Sequence, residues 1–127
     1  MLTMLLRRAV VFLAVLPLIA ASAAQVQIDA VTASPDKFKI LLENEHVRVV
    51  EYTLQPGARD RWHTHPPKVS YVVTGGTLRI TTEDGKSFLA DEKAGSASWM
   101  DALGRHFAEN VGKTPVTIVL VEVKSGT

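Results

Sequence analysis

The chain has 127 residues, of which 46% are hydrophobic and 21% charged, and its formal net charge is +1. This length suits one ordinary domain, and the composition is typical of a folded protein rather than a disordered one. The sequence has no cluster of lysines and arginines that would bind the phosphates of nucleic acid, so no nucleic-acid partner is expected. Because it has no cysteine, the fold cannot rest on disulfides and depends on its core, a metal or a partner subunit.

Residues 1–24 are predicted to be a signal peptide. Arg7 and Arg8 precede an apolar stretch at 9–20, and small residues at 21–24 offer cleavage near Ala23 or Ala24. The apolar stretch is shorter than the ~20 residues that span a bilayer, so no stable membrane anchor is expected after cleavage. An uncleaved N-terminal anchor is the alternative. We therefore predict a periplasmic or secreted protein.

The rest of the chain divides into an N-terminal arm at 25–37 and one domain at 38–127. The arm is polar and mixed, and we expect it to cover the domain or a partner. From Phe38 onward, short alternating or β-branched runs recur between turn signals, which predicts strand after strand. The predicted strands cover residues 38–42, 46–54, 60–65, 68–74, 77–82, 87–89, 97–100, 105–111 and 116–123. Because an open sheet of this size would expose long edges, an all-β barrel or double-sheet jelly roll is predicted.

The predicted interior is apolar. Its expected members are Leu54, Val72, Leu78, Ile80, Phe88, Ile118 and Leu120. Trp62 and Trp99 are expected to be packing residues rather than walls of a pocket.

Three of the four histidines form a candidate metal site. His63 and His65 lie two residues apart on a predicted strand, so their side chains project from the same side. His106 lies on a later predicted strand. Three neutral imidazoles suffice to hold zinc, with water as a fourth ligand. The alternative is that these histidines are only hydrogen-bonded inside an empty barrel.

The glycines and histidines follow two spaced motifs. Gly57 is followed by five residues and then His63-Thr64-His65, with Gly75 further on. In the second motif Gly95 precedes His106, and Asn110 follows it by four residues. Together they resemble the two motifs of the cupin superfamily. The resemblance implies a cupin-type double-stranded β-helix, a jelly-roll barrel in one domain.

A smaller group within that superfamily shares further features. The chain contains Val47-Arg48-Val49, Pro56-Gly57, His63-Thr64-His65-Pro66 and Gly75-Gly76-Thr77-Leu78. These runs, and the stretch from His106 to Gly112, are similar to the small single-domain cupins associated with β-alanine catabolism. The resemblance implies a small exported cupin of that kind, which pairs sheet edges to form a homodimer.

The chain also departs from the family pattern. Lys68 stands where the family has a carboxylate ligand, and Leu103 stands at a motif glycine. A protonated lysine has no lone pair, so the resemblance implies a site reduced to His63, His65 and His106. The expected cofactor is a divalent transition metal, with iron, zinc and nickel all possible. Without the carboxylate, manganese is disfavoured.

Three basic residues are candidates for binding an anionic small molecule. Lys68 either lines the mouth of the pocket or points to solvent beside Pro66-Pro67. Strict alternation would place Arg61 on the face of His63, and Arg79 lies between Leu78 and Ile80. Either arginine could bind a carboxylate bidentately or be a rim charge.

These observations predict an exported small cupin that uses a three-histidine metal site to bind or transform a small anionic molecule. If it is an enzyme, a metal-dependent oxidoreductase of the dioxygenase type is the first candidate, and an isomerase or lyase is the second. A non-catalytic barrel that binds a ligand or a metal is the alternative from another class.

Overall fold

The computed structural model describes residues 20–126. Most of the predicted signal peptide, residues 1–19, therefore lies outside the described residues. Within residues 20–126 the chain contains no helix that is long and apolar enough to cross a membrane.

The described chain forms one four-residue helix and nine strands. Helix α1 covers Ala30–Ala33. The strands are β1 (Phe38–Glu43), β2 (Val47–Leu54), β3 (His63–His65), β4 (Lys68–Thr74), β5 (Gly76–Thr82), β6 (Ser87–Glu92), β7 (Ala97–Met100), β8 (Leu103–Asn110) and β9 (Val116–Val123). They form a five-stranded sheet in the order β1-β2-β9-β4-β7 and a four-stranded sheet in the order β3-β8-β5-β6, with antiparallel neighbours. The all-β, two-sheet prediction is confirmed.

Two strands differ by three residues from their predicted lengths, and the others differ by one residue at most. β3 is limited to three residues, because Pro66 follows it and Asp60 lies before the strand with its side chain bonded to other elements. β6 extends to Glu92, because Ala90, Asp91 and Glu92 pair with the start of β5. Pairing partners, which a single segment does not reveal, decided both lengths.

The core lies between the two sheets. Its buried hydrophobic residues are Ala30, Phe38, Val50, Tyr52, Leu54, Val72, Leu78, Ala108, Val116, Ile118 and Leu120. Ile80 is partly buried against this cluster. The prediction that Phe88 is a core residue is wrong, because β6 is a sheet edge and the Phe88 side chain is 54% exposed. The prediction that Trp99 is a packing residue is also wrong, because Trp99 lies on the edge strand β7 and is 57% exposed.

The N-terminal arm lies along β3. The backbone N–H of Thr64 donates to the Ile28 carbonyl at 2.8 Å, and the Thr64 hydroxyl accepts from the Ile28 N–H at 2.9 Å. Asp29 caps α1 by accepting from the Thr32 N–H, and Ala30 is buried. The arm thus covers the edge of the four-stranded sheet that carries two of the histidines.

Asn110 ties the end of β8 to neighbouring segments. Its amide nitrogen donates to the carbonyls of Leu54 and Thr114, each at 2.8 Å, and its oxygen accepts from the Gly112 N–H at 3.0 Å. Asn110 is therefore a structural residue that ties these segments together by hydrogen bonding.

Candidate metal centre and its cavity

The three motif histidines meet inside the barrel. β3 and β8 pair antiparallel with His63 opposite His106, and alternation along β3 brings His65 to the same side. All three side chains are buried, and one ligand atom from each lies within 4.8 Å of the others. Pairing of these two strands is what brings together residues that are distant in sequence.

Hydrogen bonds define which nitrogen of each ring is available. Nδ1 of His63 lies 2.7 Å from the carbonyl oxygen of Arg61, and Nδ1 of His106 lies 2.7 Å from that of Gly104. A carbonyl oxygen only accepts, so both Nδ1 atoms carry the proton. Nδ1 of His65 lies 3.2 Å from a carboxylate oxygen of Glu122 and donates to it in the same way. In the neutral form of each ring, the lone pair is therefore on Nε2.

The Nε2 atoms face one another. Those of His63 and His65 are 3.1 Å apart. Two lone pairs at this distance repel each other unless a cation lies between them. Two nitrogen ligands at about 2.1 Å from one metal ion lie roughly 3.0 to 3.4 Å apart, depending on the coordination geometry. The donor set therefore fits a divalent transition metal, held by His63, His65 and His106.

Burial keeps the rings of His65 and His106 neutral. Removal from water lowers the pKa of His65 to about 4 and that of His106 to about 3, and the positive charge of Lys68 lowers both further. Neutral imidazole is the form that binds a metal. At neutral pH, protons therefore do not compete with a metal for these two rings.

A row of charged residues crosses the five-stranded sheet beside the histidines. Arg48 on β2, Glu122 on β9 and Lys68 on β4 occupy consecutive cross-strand positions. One oxygen of Glu122 accepts from the Arg48 guanidinium at 2.7 Å, and the other accepts from His65. Burial alone would raise the pKa of Glu122, but the hydrogen bonds from His65 and Arg48 hold it below its ordinary value. Glu122 is thus an ionised carboxylate that orients a candidate metal ligand.

Lys68 is the unusual member of this row. It is 2% exposed, and its Nζ is buried without a hydrogen-bond partner. Burial lowers its pKa to about 8, against a smaller opposing effect of Glu122. The sequence left open whether Lys68 faces the pocket or solvent, and its side chain lines the cavity. An unpaired buried amine is costly, which makes it a candidate ligand-binding group.

Asp60 and Tyr52 form a buried hydrogen-bonded pair next to His63. Asp60 accepts from the Tyr52 hydroxyl at 2.8 Å and from the backbone N–H of Ala108 at 2.7 Å. Its carboxylate lies 3.9 Å from Nδ1 of His63. Burial raises the pKa of Asp60, and the hydrogen bonds from Ala108 and Tyr52 oppose that rise. Asp60 therefore links β2 and β8 beside His63 of the candidate metal centre.

The histidines and Lys68 line a cavity of about 110 Å³ between the sheets. Its wall is mostly apolar and includes Leu78, Ile80 and Leu120. Phe88 and Met100, which are exposed in part, also line it, on strands at the open edges of the two sheets. The cavity thus combines a polar end with an apolar body, as small-molecule sites do.

The two candidate arginines lie outside this cavity. Arg61 is exposed because it lies before β3 next to the bend at Trp62, where strand alternation does not apply, and its carbonyl rather than its side chain contacts His63. Arg79 points outward, because alternation along β5 turns its neighbours Leu78 and Ile80 inward. Its guanidinium pairs with Glu109 on the surface at 3.4 Å. The expectation that either arginine faces the interior is therefore corrected.

Glu122 is the site residue that sequence reasoning missed. Val116, Ile118 and Leu120 alternate inward along β9, and Glu122 continues that series. A charged residue at an inward position of a strand was the available signal. Only the pairing of β9 with β2 and β4 shows which groups it meets.

Comparison with known proteins supports the fold. No protein-family model matches the sequence, and no curated protein was found to be similar to it. A solved cupin domain from Bordetella pertussis Tohama I has 23% sequence identity and a TM-score of 0.64, covering 82% of this chain and 100% of its own. An RmlC-like cupin family protein with a double-stranded β-helix fold from Methanocaldococcus jannaschii has 17% identity and a TM-score of 0.56, covering 68% and 77%.

A predicted oxalate decarboxylase from Thermotoga maritima is also similar, with 23% identity, a TM-score of 0.51 and coverage of 69% and 79%. At these identities the likeness is one of fold. The chain therefore has the cupin fold, a double-stranded β-helix, and carries within it three buried histidines that could bind a metal.

Proposed function

We propose that this protein is a small exported cupin that binds one divalent transition metal through His63, His65 and His106, and binds or transforms a small anionic molecule beside it. The observation that carries the proposal is the convergence of three Nε2 lone pairs, two of them 3.1 Å apart, while each Nδ1 is held by an acceptor. Three such rings without a cation would leave buried lone pairs unsatisfied.

Iron(II)-dependent oxidation of the dioxygenase type is the first candidate activity. Three neutral protein ligands leave coordination positions open for a substrate and oxygen, and the metal would supply Lewis acidity or oxygen activation. An isomerase or lyase would use the same site and turn over without oxygen, so an anaerobic assay separates these reactions.

A non-catalytic barrel is the second candidate function. Lys68 favours it, because this residue occupies the position of the family's carboxylate ligand and places an amine close to the metal centre. In that function the cavity would hold a ligand or metal without turnover.

Elemental analysis of the protein purified from the periplasm tests the proposal. About one equivalent of iron, zinc or nickel is expected, while His106→Ala should retain less than about a tenth of an equivalent and keep its fold. His46→Ala is the matched control, because the His46 side chain is 77% exposed. Wild-type protein without metal, even after reconstitution with each ion, would refute the proposal. If His106→Ala also unfolds in that case, His106 is a structural residue rather than a metal ligand.

Export and the β-alanine-associated resemblance are part of the same proposal. The apolar stretch at 9–20 and the small residues at 21–24 support cleavage near Ala23 or Ala24. The intact mass of protein recovered from the periplasm tests this, and a mass that includes residue 1 would contradict it.

We also propose that a second copy of the chain covers the outer face of the five-stranded sheet. One cross-strand row on that face is apolar from edge to edge, formed by Leu42, Val49, Val121, Val69 and Trp99. Such a row carries no charge, so an isologous contact can place it against itself. A dimer is expected by light scattering, with Trp99→Glu shifted toward monomer. A wild-type monomer at micromolar concentration would refute this.

A further inference from the structure

We infer that the ligand of the cavity is a small monocarboxylate, whose carboxylate pairs with Lys68 and whose hydrocarbon part lies against the apolar wall. The inference deepens the proposed function and rests on it in treating the cavity as a ligand site. It concerns the chemical class of the ligand rather than the metal.

The first step is the state of the Lys68 amine. Its side chain lines the cavity and its Nζ has no partner, although Glu122 is its cross-strand neighbour. Glu122 is already engaged on both oxygens by Arg48 and His65. A buried amine left in this way needs an acceptor, and a carboxylate from a ligand provides a charge-assisted hydrogen bond.

The second step is the charge of the cavity. Among the described residues, Lys68 is the one lysine or arginine that lines the cavity. The acidic residues that line it are Asp60 and Glu92. In the metal-free protein, a second carboxylate on the ligand would therefore find no second cation and would meet groups of its own sign. This favours a monocarboxylate over a dicarboxylate. A phosphate would call for more donors than one amine.

The third step is size and polarity. The cavity volume is about 110 Å³, somewhat below the ~150 Å³ of an apolar cavity that accepts benzene. Leu78, Ile80 and Leu120 can cover a short hydrocarbon part. A short-chain carboxylate such as butyrate matches both the polar end and the apolar body.

The test uses metal-free protein, so that its outcome is independent of metal binding. Ligand-observed NMR titrations compare butyrate with its neutral isostere butyramide and with the dicarboxylate succinate. We expect butyrate to bind at least about tenfold more tightly than either. Lys68→Met should weaken butyrate binding by a similar factor, while Lys86→Met, which removes the same charge from a side chain that is 86% exposed, should leave it unchanged.

Two results would overturn the inference. One is equal affinity for butyrate and butyramide, and the other is wild-type affinity for butyrate in Lys68→Met. If Lys68→Met fails to fold, Lys68→Gln keeps the length and a polar end without the charge, and equal butyrate binding by that variant would likewise overturn it. Because metal content is measured separately, failure of the metal proposal and failure of this inference are distinguishable.

Discussion

Replacing Lys68 with Met should stabilise the metal-free protein. Lys68 is 2% exposed with an unpartnered Nζ, and burial lowers its pKa from 10.5 to about 8. One pKa unit corresponds to about 1.4 kcal/mol, so protonated Lys68 costs the folded state about 3 kcal/mol at pH 7. Methionine fills a similar volume without the charge, and the free energy of unfolding should rise by roughly that amount.

The pH dependence gives the sharper test. Between pH 8 and 10.5 the unfolded chain binds one proton more at this position than the folded protein. The wild type therefore gains stability from Lys68 as the pH rises through this range. The difference in free energy of unfolding between Lys68→Met and the wild type should therefore fall below about 1 kcal/mol at pH 10.

Urea unfolding of both proteins from pH 7 to pH 10, with chelator present, measures this difference. Lys86→Met is the control, because the loss of an exposed lysine should change the free energy of unfolding by less than about 0.5 kcal/mol at every pH. A Lys68→Met variant that is less stable than the wild type at pH 7, or an advantage that does not vary with pH, would refute the reasoning.

Two further predictions concern the histidines and their carboxylate. Glu122→Gln removes the charge that orients His65 and should weaken metal binding by about 10- to 100-fold in a chelator competition assay; an affinity equal to that of Glu109→Gln, a change in a surface ion pair, would contradict this role. In metal-free protein, burial lowers the pKa of His65 to about 4 and of His106 to about 3, whereas both are near 6.5 in the unfolded chain. Below pH 6.5 the unfolded chain therefore binds more protons, and the free energy of unfolding should fall by several kcal/mol between pH 6.5 and pH 4. Urea unfolding should show a smaller fall between pH 6.5 and 5 for His106→Gln than for the wild type, and an equal fall would exclude His106 as a cause.

Much of the fold was predictable because strand patterns are local. Alternation of apolar residues between turn signals located β2, β4, β7 and β9 closely. The same two-residue period placed His63 and His65 on one side, and the motif spacing identified His106 as their partner. These features depend on side chains a few residues apart or on the resemblance to cupins.

Predictions of burial from the sequence were wrong where alternation breaks or where a strand lies at a sheet edge. Phe88 and Trp99 belong to edge strands, so an apolar side chain there does not need to be buried. Arg61 lies next to a bend before β3, where the two-residue period no longer applies. A local pattern contains no information about which neighbour, if any, covers a strand.

The sequence alone determined an all-β chain, its turns and a set of three histidines suited to a metal, because periodicity and residue chemistry are properties of the chain itself. Only the tertiary structure decided the chemistry around that set. Pairing of β9 with both β2 and β4 places Glu122 between Arg48 and Lys68, so the carboxylate meets His65 and the lysine is left buried without a partner. The protonation of His65 and the ligand preference of the cavity follow from contacts between residues that are distant in sequence.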